Sequence, residues 1–188
     1  PTVDARGLTL PTTPAGGTGK TRGKDVAVGN DVTSDPAIRR ALTIGLDRRG
    51  VVAAALQGHG APAYSLADGT PWANPAATFP DGRIEDARAL LAAAGWGDPD
   101  ADGVLRKDGR RASFELLYSA DDPLRSDIAL VAAEQARPLG IEIVPRGASW
   151  DGIYLDGKTR AVVWGGGRHH AHQLYEMYAS GALDTSYN

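Results

Sequence analysis

From residue 35 onward, apolar positions fall at helical spacing. Ile38, Ala41, Leu42, Gly45 and Leu46 form one stripe, with Arg39, Arg40 and Thr43 off it. Asp35-Pro36 supplies the start, because an Asp side chain caps free backbone amides and proline fits the first helical turn. A second helix, over about 48–57, is predicted to bury Val51, Val52, Ala55 and Leu56 before Gly58 stops it. Four prolines and three glycines crowd residues 58–80, which reads as an irregular loop. Ile84, Ala87, Leu91 and Ala94 then mark a third helix. Gly95 suits a left-handed cap there, and Trp96 folds back over Leu91.

Beyond Trp96 the period changes. Asp108-Gly109 is a two-residue hairpin signal between segments 104–107 and 110–118. Asp122-Pro123 opens another helix, striped by Leu124, Ile128, Val131, Ala132 and Gln135 and ending near Pro138-Leu139-Gly140. Residues 141–144 read as a buried strand. Strand, helix and strand at this spacing predict a parallel crossover. A short helix over 150–155, a strand over 161–164, the turn Gly165-Gly166-Gly167 and a last helix over 171–179 follow. Residues 1–34 are rich in Pro, Gly and Thr and read as strands or a linker entering the α/β domain formed by 35–188. The predicted class is α/β, a mixed β-sheet flanked by helices, without an internal repeat.

Charge and composition narrow the function classes. A net charge of -3 and a pI near 5.8 leave no basic footprint for nucleic acid. The chain has no cysteine, which removes disulfides, thiolate metal sites and cysteine nucleophiles. No apolar run approaches the roughly 20 residues that span a bilayer. The chain starts at Pro1 without an initiator Met and stops at Asn188, so it is expected to be a piece of a longer protein.

Two motifs fail on inspection. Ala15 to Thr21, AGGTGKT, imitates a phosphate-binding loop, but Pro14 stands where the motif needs its first Gly and the following residues are polar and Gly-broken. A mobile surface loop is expected instead. Asp98, Asp100, Asp102 and Gly103 imitate half a calcium loop, yet Gly109 occupies the twelfth position, where a bidentate Glu belongs. Asp47-Arg48-Arg49 reads as a helix cap with a local ion pair. Ser149 and Ser180 lie outside any nucleophile elbow.

The histidines are His59, His169, His170 and His172, three of them in GGGRHHAH. His169 and His172, three apart, suit one helical face, as metal ligation by imidazole requires, but no carboxylate is interleaved as in a zinc hydrolase. Glycine-rich turns at the carboxyl ends of strands let a ligand approach the backbone. Trp164, Gly165, Gly166, Gly167, Arg168, His169 and His170 are therefore candidate ligand contacts. Trp150, with Tyr175 or Tyr178, is a candidate apolar wall.

Three blocks carry a resemblance. DPAIRRALTIGLDRRGVVAAALQGHGAPA is similar to a VRxAxxxAxDR … GxGxP pattern. IEDARALLAAAGWGDPDADGVLRKDGRRASFELLY is similar to AxxLLxxAGW … DGxxxKxGxxxxFxLxY. IALVAAEQARPLGIEIVPRGASWDGIYL is similar to a helix–strand unit ending in LGIxVxxxxxxW. Together, over residues 31 to about 188, they resemble the nickel/peptide/opine solute-binding proteins of ABC importers, extracellular solute-binding protein family 5. The resemblance implies a type 2 periplasmic-binding-protein-like lobe, one of two hinged around a ligand, with ABC permease subunits as partners. Many members carry a Gly-Trp-Gly-like turn followed by Asp-Pro where this chain has GGGRHHAH. Peptide binders of the family hold the peptide amino group with an acidic residue in this region, where this chain offers His169 and His170. HAHQLYEMYAS resembles the PHELYxLYxS version of a nickel/dipeptide-like subgroup.

The expected function is capture of a peptide, nickel chelate or related small solute, without catalysis and without a resident cofactor. A periplasmic or extracellular monomer is expected, its membrane anchoring left open. The alternative is an α/β enzyme or metal-binding protein that uses His169, His170 and His172. It requires a carboxylate or nucleophile within about 3 Å of an imidazole.

Overall fold

The computed structural model describes residues 4–167 and, beyond them, Ala171, His172, Tyr175 and Ala179. One four-stranded sheet organises these residues. Its strands are β1 (Asp4–Thr9), β8 (Ala161–Gly167), β6 (Ser113–Ser119) and β7 (Glu142–Ala148), in that spatial order. β8, β6 and β7 run parallel and β1 pairs antiparallel with β8, so the sheet is mixed. Two small ladders lie outside it: β2 (Gly17–Thr21) with β3 (Lys24–Val28), and β4 (Arg106–Lys107) with β5 (Arg110–Arg111). The helices are α1 (Pro36–Gly45), α2 (Arg48–Ala55), α3 (Ile84–Ala93), α4 (Pro123–Ala136) and α5 (Trp150–Asp156).

Strand alternation gives the sheet two different faces. Phe114, Leu116, Ile143, Ala161 and Val163 pack with Ile38, Leu42, Leu91 and Ile128 of α1, α3 and α4 in the main core. Leu117 and Val162 turn the other way, onto Ile153 of α5, with Ala148 and Trp164 beside them. Among the described residues α5 is the helix packed on this second face.

Local signals position the helices as the sequence implies. The Asp35 carboxylate accepts the Ala37 amide at 2.8 Å to start α1, and Asp122 accepts the Arg125 amide at 3.2 Å to start α4. At the end of α3, Gly95 takes φ +85°, its amide bonds Ala92 O at 3.0 Å and the Trp96 amide bonds Leu91 O at 3.0 Å. That is a Schellman ending, and it drives Trp96 into the core with 2% of its surface exposed. Trp96 Nε1 then donates to Asp35 Oδ2 at 3.0 Å, and Lys107 Nζ reaches the same oxygen at 2.9 Å. One carboxylate joins the cap of α1, the end of α3 and the β4–β5 hairpin.

Burial opposes ionisation of Asp35. Hydrogen bonds from Lys107, Ala37 and Trp96, with the charge of Lys107, outweigh it and hold the carboxyl below its ordinary value of 3.8. A depressed carboxyl contributes stability that is complete above the unfolded value and disappears as pH falls through the folded one. Melting temperature is therefore expected to fall as pH drops from the ordinary carboxyl value through the lower folded one, and less steeply in Asp35→Asn, which keeps a cap but not the charge. Equal acid slopes in thermal melts of the two proteins would contradict this.

Five expectations need correction. In α2 only Ala55 is buried, while Val51, Val52 and Leu56 are half-buried. The strand expected over 110–118 is two strands in different sheets. The Ala112 amide donates to Leu105 O at 2.8 Å while Ala112 O accepts from Glu142 N at 2.9 Å, so this buried residue turns the chain from the hairpin into the main sheet. AGGTGKT is no loop: residues 17–21 are β2, closed onto β3 by a turn with Arg22 at φ +50° and Gly23 at φ +73°. The buried side of α4 is Arg125, Ile128, Ala129, Ala132 and Ala136. Leu124 and Val131 are only partly buried, and Gln135 bonds the backbone of Asp47 through both ends of its amide. Finally, Gly165–Gly167 form no turn but complete β8, opposite Arg6, Ala5 and Asp4.

The acidic turn is tied by arginines. Asp100 accepts the amides of Asp102 and Val104 and pairs with Arg111 at 2.6 Å and Arg106 at 3.5 Å. Asp47 caps α2 through the Arg49 amide at 3.0 Å, as expected, but the partner of Arg48 is Asp81 at 3.0 Å.

Candidate functional site

The second face of the sheet carries a cleft of about 540 Å³. Directly opposed residues of antiparallel strands share a face. Ala5, Gly7 and Thr9 of β1 therefore turn the same way as Gly166, Trp164 and Val162 of β8. The side chains that β1 turns to this face are small, and a Cβ placed on Gly7 would meet nothing within 4 Å. This leaves an open floor. Trp164, Ile153 and Tyr154 line the cleft from the sheet and α5, and Tyr64, Ser65 and Leu66 line it from the long loop.

The aromatic wall is an ordered cluster. The Ser149 hydroxyl accepts the Gly152 amide at 3.3 Å and starts α5, which places Trp150 and Tyr154 one turn apart with centroids 6.2 Å apart. Both rings meet Trp164 edge to face, Trp150 at 5.7 Å and 89° and Tyr154 at 5.8 Å and 78°. A cation sits against each outer ring. The Arg22 guanidinium, from the β2–β3 turn, lies 3.6 Å from the Tyr154 centroid and pairs with Asp151 at 3.1 Å. The Arg125 guanidinium lies 5.0 Å from the Trp150 centroid. Trp150 keeps 38% of its surface exposed, while Tyr154 and Trp164 line the cleft.

Charges around the shelf are compensated. Burial, and then the charge of Arg6, lower the pKa of Arg125 from its ordinary value, while Asp122 and Asp4 oppose the shift. Glu115 pairs with Arg160 and with Arg146, the latter at 2.8 Å, and hydrogen bonds from Arg160 and then Arg146 hold its carboxyl below the usual range against the cost of burial.

Of the residues singled out in the sequence, Trp150 and Trp164 are brought together. Gly165 serves a close strand crossing: a Cβ there would stand 2.3 Å from Ala5 O and 2.7 Å from Arg6 Cδ. His172 is exposed with its ring stacked on Tyr175, centroids 5.3 Å apart, and Tyr175 is itself 54% exposed. Arg168, His169, His170 and Tyr178 lie outside the described residues. Among the described residues, no group of three or more His, Asp and Glu side chains is placed to hold a metal ion. Sequence reading missed Tyr154, Arg22 and Arg125. Tyr154 carried a usable signal, four residues after Trp150 on a predicted helix.

A mixed sheet with a crossover helix in the core on one face, and an aromatic-walled cleft on the other, is the architecture of a lobe of a periplasmic-binding-type protein. NikZ from Campylobacter jejuni, solved in complex with Ni(L-His), shares the fold at a TM-score of 0.80 and 21% identity, over 99% of this chain and 34% of that one. The chain belongs to the family of bacterial extracellular solute-binding proteins, family 5 Middle, whose profile matches residues 8–185. Protein XP55 of Streptomyces lividans is 41% identical over 133 residues, which is 70% of this chain and 24% of that protein. Oligopeptide-binding protein AppA of Bacillus subtilis is 35% identical over 127 residues, 66% of this chain and 23% of AppA. The solved AppA structure, with a nonapeptide, aligns at a TM-score of 0.67 and 27% identity over 95% of this chain and 36% of that one. The chain thus spans about a quarter of the length of the two curated relatives.

Proposed function

We propose that the protein containing this chain is the substrate-binding component of an ABC importer. It captures a peptide, a nickel chelate or a related small solute between two lobes and hands it to permease subunits outside the cytoplasm. This chain supplies one lobe: within residues 1–34, β1 joins its sheet, and residues 35–188 supply the rest of its α/β body. The carrying observation is the Trp150–Tyr154–Trp164 shelf beside an open cleft, on a chain whose family binds extracellular solutes. An aromatic face with small backbone-rich surroundings suits a ligand held by its apolar surface and by hydrogen bonds to strand and loop backbone. No residue is assigned a catalytic role. None of the described helices is long and apolar enough to cross a membrane.

Gly166, Gly167, Arg168, His169 and His170 are proposed to continue the ligand surface from Trp164, with His169 and His172 as further contacts if the solute is a nickel chelate. The complete protein, titrated calorimetrically with a peptide mixture and separately with nickel plus L-histidine, is expected to bind one of them saturably. Trp164→Ala is expected to weaken that binding about 10- to 100-fold, as loss of a central aromatic contact does. Absence of heat with both probes, or full affinity in the variant, would contradict the reading.

A further inference from the structure

We propose that Arg125 is a positioning residue for ligand binding, fixing Trp150 and the peptide group that carries Trp164 in a single arrangement. The proposal rests on the reading of the shelf as the ligand surface. Arg125 is 5% exposed, and a buried cation is costly unless its surroundings use it fully. Three surroundings use this one. Nε donates to Asp122 Oδ2 at 2.9 Å, which anchors the guanidinium to the cap of its own helix. Nη1 donates to Val163 O at 2.6 Å, and that carbonyl belongs to the peptide plane shared with Trp164. The guanidinium carbon stands 5.0 Å from the Trp150 ring centroid.

The two indoles are therefore tied to one planar group, Trp164 through its backbone and Trp150 through its ring. They also touch each other edge to face at 5.7 Å. A residue serving α4 alone would need only Asp122. Lysine keeps the charge but offers one ammonium in place of a planar fork, so it cannot bond Asp122 and Val163 O and present a flat cation to Trp150 together.

The test uses the complete protein and the far-ultraviolet exciton couplet that an edge-to-face indole pair produces, isolated as the difference between the wild-type and Trp150→Phe spectra. Arg125→Lys is expected to lose at least half of this couplet while helical ellipticity stays unchanged. A full couplet in a variant that merely melts earlier would overturn the proposal, since that is the behaviour of a purely stabilising residue. Should Arg125→Lys fail to fold, Asp122→Asn decides. Asparagine still caps α4, but its amide repels Nε–H, so the couplet is expected to shrink, and an unchanged couplet contradicts the proposal. With nickel plus L-histidine and a peptide mixture as probes, Arg125→Lys is expected to lower affinity for whichever binds about tenfold, the cost of an unordered aromatic contact. A reduced couplet with full affinity would remove the role in binding. A wild-type protein that binds neither probe would overturn the ligand reading while the couplet still decides the positioning.

Discussion

Replacing Trp96 with alanine is expected to cost about 3–5 kcal/mol of folding stability, the range for truncating a large buried aromatic. Three losses combine. The indole is 2% exposed, so its removal leaves a cavity between α1, α3 and the β4–β5 hairpin. The Schellman ending of α3 loses its hydrophobic contact while Gly95 keeps the left-handed backbone that delivered it. Asp35 loses the Nε1 donor and keeps only Lys107 and the Ala37 amide. Trp96→Phe separates these contributions. It retains most of the volume and is expected to cost about 1.5–3 kcal/mol, the scale of a hydrogen bond to a charged group. Urea unfolding of the wild type and both variants checks the order. Equal losses in the two variants would mean that volume is not what Trp96 contributes.

Gly165→Val is expected to detach β1 from the sheet and to cost about 2–3 kcal/mol, an overpacking penalty at the upper end because the neighbour is backbone. The new Cβ would meet Ala5 O at 2.3 Å, with Arg6 Cδ at 2.7 Å and Nη1 at 2.9 Å. The Arg6 side chain can swing away, but Ala5 O cannot move without parting the β1–β8 ladder. Since β1 forms the floor of the cleft, ligand binding is expected to fail along with it. Hydrogen exchange reads this directly. Amides of residues 4–9 should lose protection while those of β6 and β7 keep theirs, and unchanged protection over 4–9 would contradict the argument.

What was legible in the sequence was what neighbours in the chain decide. Asp35-Pro36, Gly95-Trp96 and Asp108-Gly109 each encode a cap or turn within a few residues, and each forms as read. The crossover β6–α4–β7 followed from spacing, and the parallel pairing agrees. Long-range pairing left no such mark. Nothing local in Asp4–Thr9 announces a partner more than 150 residues away, so the sequence alone leaves β1 as strand or linker and makes the glycines opposite it look like a turn. The buried side of α4 is equally hard to read locally: Ala129 and Ala136 are buried against the sheet, and Arg125 is buried because Asp122 and Val163 O satisfy it. At the site, residue type and position single out Trp150 and Trp164, and the structure brings the two rings together. Arg22 was unreadable, because its contact with Tyr154 depends on where a distant hairpin lands.

If the shelf faces the ligand, the side-chain indole amide signals report it. In spectra of the complete protein, with cross-peaks assigned by single Trp→Phe variants, a bound ligand is expected to shift the Nε1–H signals of Trp150 and Trp164. That of Trp96, bonded to Asp35 within the core, should stay still. Saturable binding that leaves both shelf signals unmoved would contradict the account.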